Sequence, residues 1–381
     1  MNSFERFNTT LDHKKPDRMP LYIPAVVCSV ASEILGYGAY TGGDSLHFRE
    51  ESSWLLGEQA HEEFVSKYIE DTLALAKELG VDVIREAWRN GRRPTRKIDD
   101  NTLLFGDENG RYTVKRFFPE PQSYGTVRST EGYRDVDELI ITLKNSLNHQ
   151  TCLTDDELTE RYKDQLTLKN KAGNGYAMIA GGLSLGFSIG EVAWLEAIAL
   201  EPELLRDYYL KMAEDKAKQV GWFKKHGFRF INAGSDIASQ TGPIISPQAF
   251  SFIFEPALKI LADECNRLDM IYCYRSDGNM WGLCDSIFKN AKVQAYGEVD
   301  RHASMTVGCV REKYPETIIL GNIGSITLNN GTPQQVRDET RDTLVESGGY
   351  NYIAGPSNAI VHGTPVENVY AMADEIRNFK P

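Results

Sequence analysis

Several features that would assign this chain to a particular class of protein are missing from it. Its six cysteines are scattered and include no Cys-x-x-Cys pair, which argues against a disulfide scaffold and a zinc ribbon and is typical of a reducing cytoplasm. The most apolar stretch near the start, residues 19–40, is broken by two prolines and a glutamate and lacks the layout of a signal peptide. We therefore expect a cytoplasmic protein with no membrane span.

An excess of basic residues is also missing. The 381 residues include 42 Lys and Arg against 54 Asp and Glu, which gives a net charge of −12. A nucleic-acid partner would require a basic face, so no nucleic-acid partner is expected, whereas a protein partner remains open. The glycine-rich stretch 173–190 holds neither a G-x-G-x-x-G nor a Walker pattern, which favours tight turns over a nucleotide site.

What the chain does have is a regular alternation of strand and helix patterns. Eight short apolar segments predict strands buried on both faces, at residues 21–27, 81–87, 176–180, 228–232, 270–274, 292–298, 317–322 and 351–355. Helical periodicity separates most of them, at residues 58–79, 190–225, 246–268, 279–290, 301–313, 332–347 and 365–379. This repeated alternation predicts an α/β fold, a (β/α)8 TIM barrel, rather than an open sheet.

One interval, residues 89–175, is far longer than a single connecting helix requires. Within it, residues 102–105 and 111–118 predict an antiparallel β-hairpin, closed by a turn at residues 107–110. A further strand and two polar helices follow. We predict that this segment is an insertion between strands two and three that lies over the barrel mouth, within a single domain of residues 1–381.

The carboxyl ends of barrel strands are where enzymes of this architecture place their reactive groups. Three carboxylates follow predicted strands four, five and six, and we expect them to be catalytic: Asp236, Asp277 and Glu298. Seven other side chains at the strand ends are predicted to bind substrate: Arg85, Trp88, Asn232, Tyr274, Arg275, Asn322 and Asn358. Simpler roles remain open, because Asp236 could cap a loop and Asp277 could form an Asp-Gly turn. Either arginine could instead neutralise a buried carboxylate.

A metal site is a further possibility at the end of strand six. Glu298, Asp300 and His302 alternate along the chain, so an extended backbone would place them on one side. With Asp277 these three residues, Glu298 and His302 above all, could form a site with nitrogen and oxygen ligands, although no cysteine lies at a usual spacing.

With these residues placed, the chain resembles the uroporphyrinogen decarboxylase superfamily over nearly its whole length. The resemblance rests on Arg6-Phe7 with the segment Lys15-Pro16-Asp17-Arg18-Met19-Pro20, and on Leu79-Gly80-Val81-Asp82. The other matching segments are Asp236 with Ser246-Pro247, Ser276-Asp277-Gly278-Asn279, Leu320-Gly321-Asn322-Ile323, Gly331-Thr332-Pro333 and Thr364-Pro365-Val366-Glu367-Asn368-Val369. The resemblance implies a (β/α)8 barrel, as the strand count also predicts.

Two departures from the superfamily narrow the expected activity. The decarboxylases carry an Arg-Gln-Ala-Gly-Arg stretch after the first strand and a Gly-His-Gly after the last, where this chain has Ile23-Pro24-Ala25 and Ser357-Asn358-Ala359. The coenzyme M-type methyltransferases bind zinc through His-x-Cys and a later Cys. The matching positions here are Arg275, Asp277 and Asn358.

The resemblance therefore implies the branch of cobalamin-dependent methyltransferases that begin corrinoid-dependent demethylation. Such enzymes move a methyl group from a small donor, for example a methoxy-aromatic compound in an O-demethylase, to a Co(I) corrinoid on a partner protein. Asp236, Asp277 and Glu298 would then activate the leaving oxygen, and zinc is a further expected cofactor. Two alternatives stay open: a decarboxylase-like lyase acting on another carboxylated substrate, and a non-catalytic tetrapyrrole- or corrinoid-binding protein.

Overall fold

The computed structural model of the protein describes residues 1–89, 91–133, 135–148 and 152–380. The predicted domain and its insertion also include Asn90, Arg134, residues 149–151 and Pro381, which lie outside the described residues. None of the helices in the described ranges combines the length and the apolar character that crossing a bilayer requires.

The strands belong to two sheets. In chain order the strands are β1 (Val83–Arg85), β2 (Arg96–Asp99), β3 (Thr102–Gly106), β4 (Tyr112–Phe118), β5 (Ser123–Ser129), β6 (Ala177–Gly181), β7 (Phe230–Gly234), β8 (Ile271–Arg275), β9 (Ala295–Gly297), β10 (Ile318–Leu320) and β11 (Tyr352–Ile353). Strand β1 and strands β6 to β11 pair in parallel, each with the next, and strands β2 to β5 form an antiparallel sheet. The predicted α/β barrel and its hairpin insertion are thereby confirmed.

A short segment closes the seven-stranded parallel sheet. Leu21 bridges Ala354 just after β11, and Tyr22 bridges Val83 of β1, both in parallel. The backbone N–H of Ala354 donates to Pro20 at 2.9 Å, and that of Val83 donates to Leu21 at 3.1 Å. The first strand is therefore much shorter than the predicted residues 21–27, because Pro24 has no N–H group to continue the ladder.

Helices surround the sheet. In chain order they are α1 (Ser3–Leu11), α2 (Cys28–Leu35), α3 (Asp44–Ser53), α4 (Glu58–Leu79), α5 (Val136–Leu147), α6 (Asp155–Arg161), α7 (Lys163–Ala172), α8 (Val192–Leu200), α9 (Pro202–Lys225), α10 (Pro247–Ile253), α11 (Glu255–Arg267), α12 (Val307–Lys313), α13 (Ser325–Asn330), α14 (Pro333–Glu346) and α15 (Val366–Asn378). The predicted starts at Ser246 and Thr332 hold, since both side chains accept a hydrogen bond from the first turn of their helix.

The barrel interior follows from the two-residue period of its strands. Alternate residues of each strand, such as Phe230 in β7 and Cys273 in β8, form a closed apolar cluster. Phe7 and Leu11 of α1 belong to the same cluster and plug its amino-terminal end. On β1, β7 and β8 the next inward positions, towards the carboxyl ends, are polar and line the cavity described below.

The insertion packs on the barrel through its own sheet. Phe48 of α3 stacks on Phe117 of β4, with ring centroids 4.9 Å apart, and Lys115 of β4 pairs with the buried Glu51 at 2.8 Å. Strand β2 was not predicted, because its side chains are exposed and carry no apolar alternation. The position of this insertion over the barrel mouth remains a prediction.

Candidate functional site

Polar side chains form the inward layer above the apolar core of the barrel. Arg85, Asn232 and Arg275 each lie two residues beyond an apolar inward position of their strand. Because side chains alternate along a strand, these three also point into the barrel. Together with Tyr22 and Glu298 they line a cavity whose space, including the part open to solvent, is about 290 Å³.

Three carboxyl groups meet at the upper end of this layer. Asp236 follows β7, Asp277 follows β8 and Glu298 follows β9, and one oxygen of each lies within 4.8 Å of the others. Glu298 is buried, Asp277 is half-buried and Asp236 is exposed. The three residues predicted to be catalytic are therefore brought together, and we call them the acidic trio. Their role in catalysis remains a prediction.

Close contact between two loops positions Asp236 and Asp277. The Ser276 hydroxyl accepts a hydrogen bond from the N–H of Ile237 at 3.1 Å, and the N–H of Asp277 donates to Asp236 at 3.3 Å. Gly278 has a φ of +85°, and a Cβ there would lie 2.6 Å from the Ser239 carbonyl oxygen. Only glycine permits this approach, so the Asp-Gly dipeptide sets the spacing of the two carboxylates.

Glu298 is the most enclosed member of the trio. Its Oε1 accepts from the Arg275 guanidinium, and its Oε2 is buried with no hydrogen-bond partner among the described residues. Burial raises the pKa of Glu298 to about 7, because the gain from Arg275 does not offset desolvation and the charges of Asp277 and Asp236. Near neutral pH this carboxyl group therefore carries a proton for a large part of the time.

Asp277 is held by a single amide. Asn358 donates to its Oδ2 at 2.7 Å. Burial, together with the charges of Asp236 and Asp300, raises the pKa of Asp277 to about 6, although Asn358 and Arg275 act in the opposite direction. Two neighbouring carboxyl groups thus titrate close to physiological pH, as expected where like charges share a partly desolvated site.

The outer part of the site is an open cleft. Its space, including the part open to solvent, is about 680 Å³, and its wall includes Asp277, Asp300, His302 and Asn358. Asp300 caps the short turn that holds His302 by accepting from its N–H at 2.9 Å. His302 therefore lies on the cleft wall, and the group of carboxyls within 4.8 Å does not include it. The predicted pairing of Glu298 with His302 as metal ligands has no support in this geometry.

Three of the residues expected to bind substrate lie elsewhere. Tyr274 faces the helices within the outer core, because Cys273 and Arg275 on either side of it point inward. Trp88 is 67% exposed and packs edge-on against His47. Asn322 is fully buried, and its amide donates to the carbonyls of Val299 and Met305 at 2.6 and 3.1 Å. It positions the backbone after β9 rather than lining the cavity.

Two residues of the site were not found by the sequence analysis. Tyr22 places its hydroxyl in the cavity, but its strand is too short to show an alternating pattern. Arg89 is buried and pairs with Glu50, Glu86 and Asp164 at 2.7–2.9 Å. Arg89 lies beyond the predicted strand at residues 81–87, so no strand pattern indicated which way its side chain points. Arg89 thus fixes the chain that leaves β1, the strand that carries Arg85.

The acidic trio presents only oxygen atoms to a metal ion. Oxygen ligands suit hard cations, whereas the zinc sites of structural and catalytic proteins usually include histidine or cysteine. The Arg275 guanidinium already neutralises Glu298, which leaves less negative charge for a cation. The donor set therefore does not fit the expected zinc.

Comparison with known proteins gives a family and a fold. A sequence profile of the family Uroporphyrinogen decarboxylase (URO-D) matches residues 188–379, just over half of the chain, and includes the acidic trio. No curated protein matches the chain.

Two solved structures are similar in shape. A methyltransferase from Methanosarcina mazei superimposes with a TM-score of 0.67 at 15% identity, covering 100% of each chain. A protein from Listeria monocytogenes described as a vitamin-B12 independent methionine synthase gives a TM-score of 0.48 at 13% identity, covering 94% of this chain and 97% of the other. The first similarity shows the barrel fold. The profile match across the carboxyl-terminal half shows that the chain belongs to the uroporphyrinogen decarboxylase family.

Proposed function

We propose that the protein is a methyltransferase of a corrinoid-dependent demethylation system. It would move a methyl group from a small donor, such as a methoxy-aromatic compound, to a Co(I) corrinoid carried by a partner protein. The acidic trio is the observation that carries the proposal. Three carboxyl groups lie within 4.8 Å of one another, beside the cavity and below the open cleft.

The chemistry that such a transfer requires is protonation of the leaving oxygen. A Co(I) corrinoid would supply the electron pair for the new bond to the methyl carbon. As the bond between methyl carbon and oxygen breaks, its electron pair stays on the oxygen, and a proton from a carboxyl group neutralises the alkoxide or phenoxide. Glu298 is suited to hold this proton, because burial raises its pKa to about 7.

The other two carboxyl groups would act through Glu298. The charges of Asp236 and Asp277 both raise the pKa of Glu298, and Asp277 itself titrates with a pKa of about 6. Asp277 can therefore return a proton to Glu298 after each turnover, and the exposed Asp236 lies at the side of the trio that faces water. Arg275 would orient Glu298 through their ion pair.

The surroundings of the trio suit the two substrates. The cavity would hold the methyl donor, and the open cleft lined by Asp300 and His302 would accept the corrinoid. All six cysteines are free of disulfides, which fits a reducing compartment, so we place the activity in the cytoplasm.

A second candidate is a decarboxylase-like lyase acting on a carboxylated substrate. Arg85 favours it, because its guanidinium lines the cavity without an ion pair among the described residues. This activity would release CO₂ and would need neither a methyl donor nor a corrinoid.

The proposal is tested by an absorbance assay with reduced Co(I) cobalamin and a panel of methoxy-aromatic, methylamine and methyl thioether donors. We expect the methyl-Co(III) spectrum to grow with one class of donor. The same reaction with Asp277→Asn should slow markedly, whereas Glu312→Gln, a change on the exposed face of α12, should not alter it. No methyl transfer from any donor, with CO₂ released from a carboxylated compound, would replace the proposal by the lyase.

A metal analysis of the purified protein separates acid catalysis from metal catalysis. We expect no stoichiometric metal and no effect of chelators on the rate. A tightly bound divalent ion whose removal abolishes turnover would show that the trio acts as a ligand set instead.

A further inference from the structure

We propose that Arg85 and Tyr22 bind a carboxylate group of the methyl donor, so that the substrate class is a small methylated carboxylic acid. The inference rests on the proposed function and adds to it the second chemical group that the donor must carry. An arginine without a counter-ion and a buried phenol that donates to no described residue face the same cavity.

Arg85 is unusual among the arginines near the site. Its Nε donates to the carbonyl oxygen of Glu86 at 3.0 Å, and the guanidinium makes no ion pair with any described carboxylate. Its neighbours are neutralised, since Arg275 pairs with Glu298 and Arg89 pairs with Glu86 at 2.9 Å. A guanidinium that faces a cavity without a counter-ion can present the N–H groups of its two terminal nitrogens to an anionic ligand.

Tyr22 adds a donor at the same place. Its hydroxyl is buried and donates to no described residue. A ligand oxygen could accept this proton, which would satisfy a buried donor. Burial raises the pKa of Tyr22, whereas the charge of Arg85, a hydrogen bond with Arg85 and the charge of Arg275 oppose that rise, so both guanidinium groups lie near the hydroxyl. The phenol therefore remains a neutral donor at physiological pH.

The cavity carries more positive than negative charge, which favours an anionic ligand. Two arginines line it, and Glu298 is the one carboxylate among its lining residues. Glu298 already pairs with Arg275, so the positive charge of Arg85 is left over. The polar side chains of Asn232 and Ser357 also line the cavity and can donate to a second carboxylate oxygen.

The shape of the cavity sets the orientation of the ligand. Its apolar walls are formed by Pro24, Leu320 and Pro356, which suits an aromatic or aliphatic body. Glu298 lines the same cavity and lies within 4.8 Å of Asp277 at the cleft. A donor held through its carboxylate at Arg85 would therefore present its methoxy group to Glu298 and the cleft.

Calorimetric titration without corrinoid tests the binding site apart from the reaction. We expect benzoate and 4-methoxybenzoate to bind the wild-type protein and benzamide to bind much more weakly. Arg85→Gln should weaken benzoate binding by about tenfold or more, because it removes a hydrogen-bonded charge pair. Tyr22→Phe should weaken it by about threefold to tenfold, the loss of one hydrogen bond.

Matched variants keep this test interpretable. Arg128→Gln removes an exposed arginine of β5 and should leave benzoate binding unchanged. Arg85→Lys keeps the charge in the cavity and should recover part of the affinity even if Arg85→Gln is poorly folded. Equal binding of benzoate to the wild type and Arg85→Gln would overturn the proposal, and so would inorganic phosphate that binds as tightly as benzoate.

Turnover separates this inference from the proposed function. Methyl transfer from 4-methoxybenzoate but not from methoxybenzene would support both. Equal transfer from the two donors would leave the methyltransferase in place and overturn the carboxylate site. Benzoate binding that depends on Arg85, with CO₂ release and no methyl transfer, would support the anion site and refute the methyltransferase.

Discussion

At the scale of single residues, the protonation state of two carboxyl groups, Glu298 and Asp277, dominates the site. Glu298 titrates near pH 7 and Asp277 near pH 6, because both are desolvated and surrounded by negative charge. A carboxyl group with a pKa close to the working pH is an efficient proton donor and is easily reprotonated.

Glu298→Gln tests the proposed acid directly. The substitution keeps the size and the hydrogen bond to Arg275 but removes the transferable proton, so we expect kcat to fall by about 100-fold or more with little change in KM. Steady-state kinetics with the preferred donor would measure it, with Glu312→Gln as the control. A loss within about threefold would show that Glu298 is not the acid.

The activity should also depend on pH in a defined direction. The acid must be protonated to act, and the pKa of Glu298 is about 7. We therefore expect kcat to be constant at low pH and to fall about tenfold per pH unit above pH 7. Rates measured between pH 5 and 9 would show this, and a profile that rises through pH 7 would indicate a general base instead.

Asp277→Asn should stabilise the protein at high pH. Its pKa is raised from 3.8 to about 6 in the folded state, so folding favours the protonated form. Stability is lost as pH rises from the unfolded pKa to the folded one, and remains lower above it. We expect Asn to raise the free energy of unfolding by about 1–2 kcal/mol at pH 8 and to have little effect below pH 4. Urea denaturation at the two pH values measures the difference, and an equal effect at both would contradict the raised pKa.

The acidic trio could be predicted from sequence because each residue follows an apolar strand. The pairing of the arginines could not, since Arg85 and Arg275 have the same inward position and only the fold places a carboxylate beside one of them. Tyr274 was predicted to bind substrate, but it packs in the outer core. The two-residue period of a strand already indicates this, because Arg275 points inward and the residue before it must then point outward.

At the scale of elements, the loops after the strands determine the geometry of the site. Asn322 shows how, since its amide joins the end of β10 to the backbone after β9 at Val299 and Met305. Its φ of +108° is uncommon for a residue with a side chain. The loop that carries Glu298 is therefore fixed from the neighbouring strand.

Asn322→Ala and Asn322→Gly separate the two contributions of this residue. Both remove two hydrogen bonds to buried carbonyls, and we expect a loss of about 2–3 kcal/mol of unfolding free energy. Glycine accepts the positive φ without strain and should cost about 1 kcal/mol less than alanine. Denaturation curves give both values. A glycine variant less stable than the alanine variant would contradict the role of the backbone conformation.

The barrel strands were predictable because they are buried on both faces and read as continuous apolar runs. Their lengths were not, because hydrogen bonding rather than composition ends them: β11 spans only Tyr352–Ile353, within the predicted residues 351–355. The exposed strand β2 has no such pattern and forms because β3 supplies its partners.

At the scale of the whole molecule, the amino-terminal segments that carried the family resemblance are structural. Arg6 and Arg18 both donate to the buried Asp82, at 2.7 and 2.6 Å, and Arg6 also binds Asp17. This network joins α1 and the segment that follows it to the residue immediately before β1, at the end of the barrel opposite the acidic trio. These amino-terminal segments therefore specify how that end of the barrel is closed.

The barrel and the insertion should differ in local stability. Strands β7 and β8 pack on both faces, whereas the antiparallel sheet has a small separate cluster of Leu103, Phe105 and Tyr124. We expect amide hydrogens of β7 and β8 to exchange at least roughly 100-fold more slowly than those of β3 and β4 in native-state exchange. Equal protection would show that the insertion unfolds only together with the barrel.

The most direct test of the central claim is transfer of a labelled methyl group. A donor with a ¹³C-methyl ether would be mixed with the protein and stoichiometric Co(I) cobalamin, and the methyl carbon followed by NMR through a single turnover. We predict that the signal moves from the ether to the methylcorrinoid with the wild-type protein, and at least about 100-fold more slowly with Glu298→Gln. A methyl signal that stays on the donor while bound corrinoid remains reduced would contradict the assignment of this barrel as a methyltransferase.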